Sequence, residues 1–196
     1  MDEHYYSQSP SSAHDETTFQ IPFAGRMLTF TSDAGVFSKG HLDKGTALLL
    51  KALPEGFTGR ALDLGCGWGA VGVCMAARWP SARIVMTDIN ERAAALSRQN
   101  LAANGLQADV LQGDGLAHLD GGFDLIATNP PIRAGKAVIY DLFAQSAERL
   151  NPGGALYVVI RKQQGADSAR KYLQTLLQDV QTVERGSGFH VIQGTK

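Results

Sequence analysis

Residues 61–69 read ALDLGCGWG, an apolar run that passes directly into a turn with glycine at every second position. The run before Gly65 predicts a short buried strand, and residues 71–79, VGVCMAARW, predict a helix that ends before Pro80. Glycines permit a tight turn and a close backbone approach, and the N-terminus of a helix presents free N–H groups. The stretch therefore predicts a strand, a ligand-binding turn and a helix.

The same alternation of strand and helix continues to the end of the chain. Strands are predicted at residues 61–64, 82–88, 108–114, 123–128 and 155–160, helices at 71–79, 89–105, 136–150 and near 166–178, and a closing hairpin at 180–194. Gly105 is predicted to cap the C-terminus of its helix, and residues 151–154, NPGG, are expected to end the helix before them. This order predicts an α/β fold with a doubly wound, mostly parallel, seven-stranded sheet.

The N-terminal part does not follow that alternation. Residues 1–18 are polar and lack periodicity, and we expect a flexible arm there. A hairpin is predicted from 19–23 and 27–31, followed by a helix at 46–53. We therefore expect one domain over 19–196, with an N-terminal extension at 19–55 and a ligand-binding core at 56–196.

Bulk properties exclude several classes of protein. Nothing approaches 18 consecutive apolar residues, so no membrane span is expected, and the polar N-terminus has no apolar segment of a secretory signal. We therefore expect a cytoplasmic protein. Cys66 and Cys74 match no common zinc spacing, and His41, His118 and His190 are too scattered in sequence to indicate a metal site. No metal is expected.

The spacing of the glycines bears on the ligand. Gly65, Gly67 and Gly69 form G-x-G-x-G, whereas a dinucleotide fold would have G-x-G-x-x-G with pyrophosphate on its amides. Asp63, two residues before the turn, would repel a pyrophosphate and attract an ammonium or sulfonium group. Asp88, at the end of the second core strand, suits ribose hydroxyls, and Asp114, at the end of the third, suits an adenine amino group. Three aspartates at one sheet edge thus favour a cationic nucleoside ligand over NAD.

A second unusual stretch is FDLIATNPPI at 123–132, where a buried strand runs into Asn129 and two prolines. Proline has no N–H and holds the preceding residue extended. Pro130 and Pro131 therefore offer only carbonyl acceptors, with the Asn129 carboxamide beside them. Such an acceptor-only rim would suit a ligand that brings N–H groups.

Charge is distributed unevenly about this rim. Residues 1–131 hold 9 Lys and Arg against 14 Asp and Glu, whereas 132–196 hold 9 against 5. The basic excess of the second part favours a polyanionic partner. Arg133 and Lys136, directly beyond the prolines, are either phosphate contacts or solvated loop charges.

These motifs together resemble a known family. DLGCGWG, TDIN, GDG and NPPI, in this order, are similar to class I S-adenosylmethionine (AdoMet)-dependent methyltransferases that act on exocyclic or amide nitrogens. HYYSQSP, FTSDAGVFSKGHLDKGTALLL and NPPIRAGK resemble the stand-alone relatives of small-subunit (16S) rRNA guanine-N2 methyltransferases. The resemblance implies a Rossmann-like methyltransferase fold, AdoMet as cofactor and 16S rRNA or a small-subunit precursor as partner.

The resemblance also implies roles for individual residues. Asn129 and Pro130 would accept the two N–H groups of the target amine, with Asn129 also near the cofactor. The residues implied in cofactor binding are Asp63, Gly65, Gly67, Gly69, Asp88 and Asp114, and those implied in substrate binding are Pro131, Ile132, Arg133 and Lys136. The family often has a base-stacking aromatic where this chain has Ile132. Phe37, Lys39 and Asp43 are implied in a lid over the methionine end of the cofactor.

Other functions share parts of this pattern. Methylation of adenine N6 or of a protein glutamine amide uses the same acceptor geometry. A non-catalytic module that binds RNA or AdoMet is a further alternative, although a degenerate copy need keep neither the glycine turn nor Asn129. We expect a monomer or a weak homodimer.

Overall fold

The computed structural model describes residues 12–196. The stretch HYYSQSP and most of the predicted arm lie outside the described residues, and the predicted division into arm and domain stays a prediction. Two strands, β1 (Thr17–Phe23) and β2 (Arg26–Ser32), form the predicted antiparallel hairpin, which precedes helix α1 (Lys44–Ala52). The remaining strands are β3 (Arg60–Leu64), β4 (Arg83–Asp88), β5 (Asp109–Gln112), β6 (Phe123–Thr128), β7 (Leu150–Arg161), β8 (Gln178–Gly186) and β9 (Phe189–Thr195). The remaining helices are α2 (Ala70–Arg78), α3 (Glu91–Ala103), α4 (Lys136–Arg149) and α5 (Ala166–Leu173).

The sheet has seven strands in the order β5-β4-β3-β6-β7-β9-β8, which confirms the predicted fold class. The strands from β3 to β7 pair in parallel, and β9 runs antiparallel to both of its neighbours. The chain winds outward from β3 to β5 and then returns to place β6 on the other side of β3. Doubly wound sheets bind ligands at such a switch point, outside the carboxyl ends of the strands. This arrangement brings the glycine turn and the proline rim side by side.

Alternate residues of each central strand enter different cores. Along β3, Ala61 packs in the core beneath α1, α2 and α3, whereas Leu62 and Leu64 pack in the core beneath α4 and α5. Asp63 lies between Leu62 and Leu64 and so points to the same side as Ala61. The strand period therefore places this carboxylate on the side of the sheet that α1, α2 and α3 cover.

The structure corrects several predicted boundaries. Helix α4 ends before residues 151–154, as predicted, but β7 begins at Leu150 rather than at the predicted residue 155. Residues 151–154 therefore belong to the strand, where a bulge shifts the register opposite Phe123 and Leu125. Gly153 has φ +78°, and a Cβ on Gly154 would lie 2.9 Å from the Phe123 carbonyl oxygen, so these glycines let turn-like residues stay inside a strand. Helix α5 ends at Leu173 rather than near 178. Residues 174–177 keep the apolar pattern of the helix, but they form tight turns in which the Thr175 and Leu176 N–H groups donate to carbonyls three residues back.

The structure contains no helix in residues 12–196 that is both long enough and apolar enough to cross a bilayer.

Candidate active site at the carboxyl edge of the sheet

The glycine turn is shaped by backbone hydrogen bonds to β4. The N–H groups of Gly65 and Cys66 both donate to the Thr87 carbonyl oxygen at 2.9 Å. Gly65, Gly67 and Gly69 have φ values of +72°, +56° and +90°, a region that other residues rarely adopt. The alternating glycines are thus required by the turn itself, and α2 begins directly after Gly69.

Asp63 lies beneath this turn and is 2% exposed. Its Oδ2 accepts a hydrogen bond of 2.7 Å from the Gly72 N–H in the first turn of α2. Burial raises the pKa of Asp63 to about 7, the Gly72 hydrogen bond opposes this rise, and the charge of Asp88 adds to it. The carboxylate therefore holds the turn from below, and a cation bound above the turn would favour its ionised form.

Asp88 joins the two loops that follow β3 and β4. One carboxylate oxygen accepts from the Gly67 N–H at 2.8 Å, and the other accepts from the Asn90 N–H at 2.9 Å. Burial raises the pKa of Asp88 in spite of these hydrogen bonds. A hydrogen bond from the Ile89 N–H also lowers this pKa. A carboxylate has about four acceptor sites, so with three backbone donors it can still accept from a ligand.

Asp114 is more exposed and lies two residues beyond β5, which ends at Gln112 rather than at the predicted residue 114. The preceding Gly113 N–H donates to the Asp88 carbonyl oxygen at 3.0 Å, which keeps this loop beside β4. Within residues 12–196 the Asp114 side chain has no hydrogen-bond partner. The three predicted aspartates thus share the carboxyl edge, one buried beneath it, one half-buried and one exposed.

The proline rim follows β6 on the other side of β3. The Thr128 hydroxyl donates to the Leu64 carbonyl oxygen at 2.8 Å, which joins the exits of β6 and β3. Asn129 is half-buried, and Pro130 is buried. The Pro131 carbonyl accepts from the Ala134 N–H at 2.8 Å in a 3₁₀ turn at Ile132–Ala134. The rim is therefore stiff, and it lies directly beside the glycine turn.

The N-terminal turn of α1 reaches the rim. Asp43 caps this helix, since its Oδ1 accepts from the N–H groups of Gly45 at 2.8 Å and Thr46 at 3.2 Å. The Thr46 hydroxyl donates to Asp43 Oδ2 and accepts from Asn129 Nδ2 at 3.1 Å. Thr46 was not among the predicted site residues, although its position three residues after Asp43, an aspartate that can cap a helix, indicated that it lies in the first helical turn.

Phe189 was not among the predicted site residues either. Its ring packs on the first turn of α1, where a Cβ on Gly45 would lie 2.8 Å from the ring carbon Cε1. The Arg161 guanidinium lies over the same ring, 4.9 Å from its centroid. The hairpin of β8 and β9 therefore brings an aromatic side chain to the helix that contacts Asn129, and no short-range sequence pattern indicates this.

The segment between β2 and α1 covers the glycine turn. Trp68 Nε1 donates to the Phe37 carbonyl oxygen at 2.9 Å, and Asn100 Nδ2 donates to the Trp68 carbonyl oxygen at 2.7 Å. Trp68 is buried, whereas Phe37 is 42% exposed. Lys39 forms an ion pair with Asp15. This placement agrees with a cover over the turn, while the lid function stays a prediction.

The two halves of the carboxyl edge differ in charge. Asp63, Asp88 and Asp114 lie on the half made by β3, β4 and β5. The other half carries exposed cations at or just beyond the ends of β6, β7 and β8, which we call the basic edge: Arg133, Lys136, Arg161, Lys162 and Arg185. Ile132 and Lys136 also line a cavity of about 250 Å³ between α4 and α5. The edge thus has one half suited to a cationic ligand and one suited to a polyanion.

Two other features do not belong to this site. A wider groove lined by Arg83, Arg98 and Asp109 lies where β4 and β5 begin, at the opposite edge of the sheet. His14, Glu16 and Asp33 lie close enough together to be considered as metal ligands. Asp33, however, already accepts hydrogen bonds from the N–H groups of Asp15 at 2.6 Å and Ala34 at 2.7 Å and from the His14 ring. Its carboxylate oxygens are thus engaged in hydrogen bonds that stabilise the fold.

Comparisons with known proteins agree with this geometry. The methyltransferase small domain family matches residues 27–193. The chain is 41% identical over 200 residues to the uncharacterized protein YbxB of Bacillus subtilis, and the match covers both chains completely. It is 36% identical over 185 residues to ribosomal RNA small subunit methyltransferase C of Pseudomonas entomophila, covering 91% of this chain and 54% of the relative. The chain thus spans about half the length of that relative.

A solved structure shows the same relationship. The T. thermophilus 16S rRNA N2 methyltransferase (RsmC), in complex with AdoMet and guanosine, superposes with a TM-score of 0.83 at 30% identity. The match covers 92% of this chain and 50% of that chain. A methyltransferase from Pyrococcus furiosus, with a TM-score of 0.68 at 21% identity, shows the same fold. These similarities confirm the predicted fold class and the resemblance to methyltransferases.

Proposed function

Because the chain belongs to the methyltransferase small domain family, we propose that it transfers the methyl group of AdoMet to guanine N2 of small-subunit rRNA. The observation that carries the proposal is the position of Asn129, at the switch point of the sheet and beside the glycine turn. The T. thermophilus relative with AdoMet and guanosine supports both ligand classes.

In this proposal the acidic half of the edge holds AdoMet. The glycine turn allows close approach of the nucleoside, Asp88 accepts from the ribose hydroxyls, and Asp114 accepts from the adenine amino group. Asp63 acts from beneath the turn, because a buried carboxylate interacts strongly with a nearby cation. AdoMet supplies the methyl group on a sulfonium, which is a good leaving group.

Asn129 and Pro130 position the target amine. The guanine N2 lone pair is delocalised into the ring, so the amine is a poor nucleophile. Asn129 Oδ1 and the Pro130 carbonyl accept its two N–H bonds, which orients the lone pair towards the methyl group. The nitrogen–methyl bond forms as the methyl–sulfur bond breaks, and the amine then loses a proton to solvent. Positioning of this kind is worth several kcal/mol in other systems.

The basic edge binds the RNA backbone. A base inside a duplex cannot reach Asn129, so the target base must be unpaired or flipped. Phosphates on either side would then meet the cations beyond the rim. We propose that the protein acts in the cytoplasm as a monomer or weak homodimer, with 16S rRNA or a small-subunit precursor as substrate.

Product analysis tests this function. We expect purified protein and labelled AdoMet to yield N2-methylguanosine in small-subunit RNA from a deletion strain, identified by nucleoside mass spectrometry. Formation of N6-methyladenine instead, or labelling of a ribosomal protein on glutamine, would replace the proposed substrate by one of the alternatives. Absence of any transfer in the presence of bound AdoMet would indicate a non-catalytic module.

Cofactor affinity should depend on pH through Asp63. The pKa of this buried carboxyl is about 7, and a bound cation favours its ionised form, so binding releases a proton. The AdoMet Kd should therefore fall about fivefold from pH 6 to pH 7 and then level off. Asp63→Asn keeps an acceptor for the Gly72 N–H but cannot ionise, so its Kd should change little over the same range. Calorimetry in two buffers measures the proton release, and parallel pH profiles for both proteins would contradict this role.

RNA binding should depend on salt through the basic edge. Arg133→Ala and Lys136→Ala should each weaken binding similarly across RNA sequences. Each should also reduce the slope of log K against log salt concentration by about the contribution of one phosphate contact. Lys171→Ala is the matched control, since this exposed lysine lies in the last turn of α5, away from the carboxyl edge. Fluorescence anisotropy at several salt concentrations gives the slopes. Slopes equal to that of the control in both variants would place the two charges in solvent.

A further inference from the structure

The Thr46 hydroxyl lies between an acceptor and a carboxamide. It contacts Asp43 Oδ2 on one side and Asn129 Nδ2, 3.1 Å away, on the other. We propose that Thr46 and Asp43 are positioning residues that fix which end of the Asn129 carboxamide faces the target amine. The catalytic consequence rests on the proposed function, whereas the orientation itself does not.

The orientation of the Asn129 carboxamide follows from the number of protons that each group can donate. A hydroxyl has one proton to donate, and a carboxylate can only accept. The Thr46 proton is therefore committed to Asp43, and the lone pair that faces Asn129 needs a donor. Only the NH₂ end of the carboxamide donates, so Nδ2 faces Thr46 and Oδ1 is turned away from it. This assignment follows from chemistry and does not depend on distinguishing nitrogen from oxygen by position.

Each member of the chain of hydrogen bonds is held in place. Thr46 is 4% exposed, so water competes little for its hydroxyl. Asp43 Oδ1 accepts from two N–H groups of α1, which fixes the carboxylate against the helix. Thr128, next to Asn129, is bonded to the exit of β3. The Asn129 carboxamide thus lies between two elements that hydrogen bonds hold in place, the first turn of α1 and the end of β6.

The orientation matters because the target amine is a donor. With Oδ1 directed into the site, Asn129 accepts one of its N–H bonds. With the carboxamide flipped, an NH₂ group would face another NH₂ group, and the lone pair would lose its alignment. The two ends of a carboxamide are nearly the same size, so packing alone discriminates poorly between them. The hydrogen bond to Thr46 supplies the discrimination.

Three variants separate this role from simple packing. Thr46→Val keeps the shape and removes the acceptor, whereas Thr46→Ser keeps the acceptor. Asp43→Asn keeps an N-cap but presents NH₂ to the Thr46 hydroxyl, which frees the hydroxyl proton to donate towards Asn129 and favours the flipped carboxamide. Thr58→Val, at an exposed loop position, is the matched control.

Two measurements are made on each full-length protein. The first is the hydrogen-exchange rate of the Asn129 side-chain NH₂ by NMR, with the signal identified by its absence in Asn129→Asp. The second is single-turnover methylation of RNA, run beside AdoMet titrations. In Thr46→Val and Asp43→Asn we expect faster NH₂ exchange, turnover lowered about tenfold and AdoMet affinity within about twofold of wild type, as for loss of one hydrogen bond. Thr46→Ser should restore most of the turnover and the slow exchange.

The outcomes are distinct. Wild-type turnover and unchanged NH₂ exchange in both Thr46→Val and Asp43→Asn would overturn the proposal. If Thr46→Val does not fold, Asp43→Asn, which retains the cap, decides by the same criteria. If wild type methylates no RNA, the proposed function fails, and the exchange rates of the variants still support or overturn the orientation.

Discussion

Asn129→Ala is expected to lower kcat by about 10²-fold or more, the effect of removing one oriented polar group at a reacting centre. The Kd for AdoMet should change much less, because the acceptor acts mainly on the amine in the transition state. The structure supports this separation, since the cofactor half of the edge is built by β3, β4 and β5, and Asn129 follows β6. Single-turnover methylation of 16S rRNA fragments, run beside cofactor titrations, measures both quantities.

Asn129→Asp is the sharper comparison. It keeps an acceptor of the same shape and adds a charge on the side of the sulfonium. We expect AdoMet to bind at least as tightly as to wild type and turnover to exceed that of Asn129→Ala. Wild-type rates in Asn129→Ala would show that the acceptor rim has no part in catalysis and that the prolines only stiffen the exit of β6.

Asp88→Ala is expected to weaken AdoMet binding by about 1–3 kcal/mol, the range for loss of hydrogen bonds to a charged group. This variant loses more than the contact with the ligand. The ribose loses its acceptor, and the N–H groups of Gly67 and Asn90 lose the carboxylate oxygens that hold them at 2.8 and 2.9 Å. Calorimetry on the folded variant gives the affinity directly.

Asp109→Ala is the matched control for Asp88→Ala. Asp109 is exposed, pairs with Arg83 at the opposite edge of the sheet and also loses one negative charge on substitution. It should bind AdoMet as wild type does. Unchanged affinity in Asp88→Ala would remove Asp88 from the cofactor site. Tight binding of NADH by wild type would instead overturn the assignment of AdoMet as the cofactor.

The sequence by itself predicted the fold, because the signals are local. Neighbouring residues alone determine the alternation of strand and helix, the glycine turn and the pair of prolines. Strands β3, β4 and β6 accordingly lie where the sequence pattern predicted them. The shared edge of Asp63, Asp88 and Asp114 was predictable too, since parallel strands bring their carboxyl ends together. The start of β7 was wrongly predicted at residue 155 rather than at residue 150, because a bulge lets residues that usually form turns belong to the strand.

Tertiary structure alone decided what surrounds Asn129. Thr46 is 83 residues away from it in sequence, and their contact requires α1 to pack where β6 ends. Phe189 reaches α1 through the antiparallel strand β9, against a glycine that leaves room for its ring. The burial that raises the pKa of Asp63 also comes from packing, since α2 covers the carboxylate. Sequence periodicity determines which face a residue takes, whereas the partner it meets on that face depends on contacts between segments far apart in the chain.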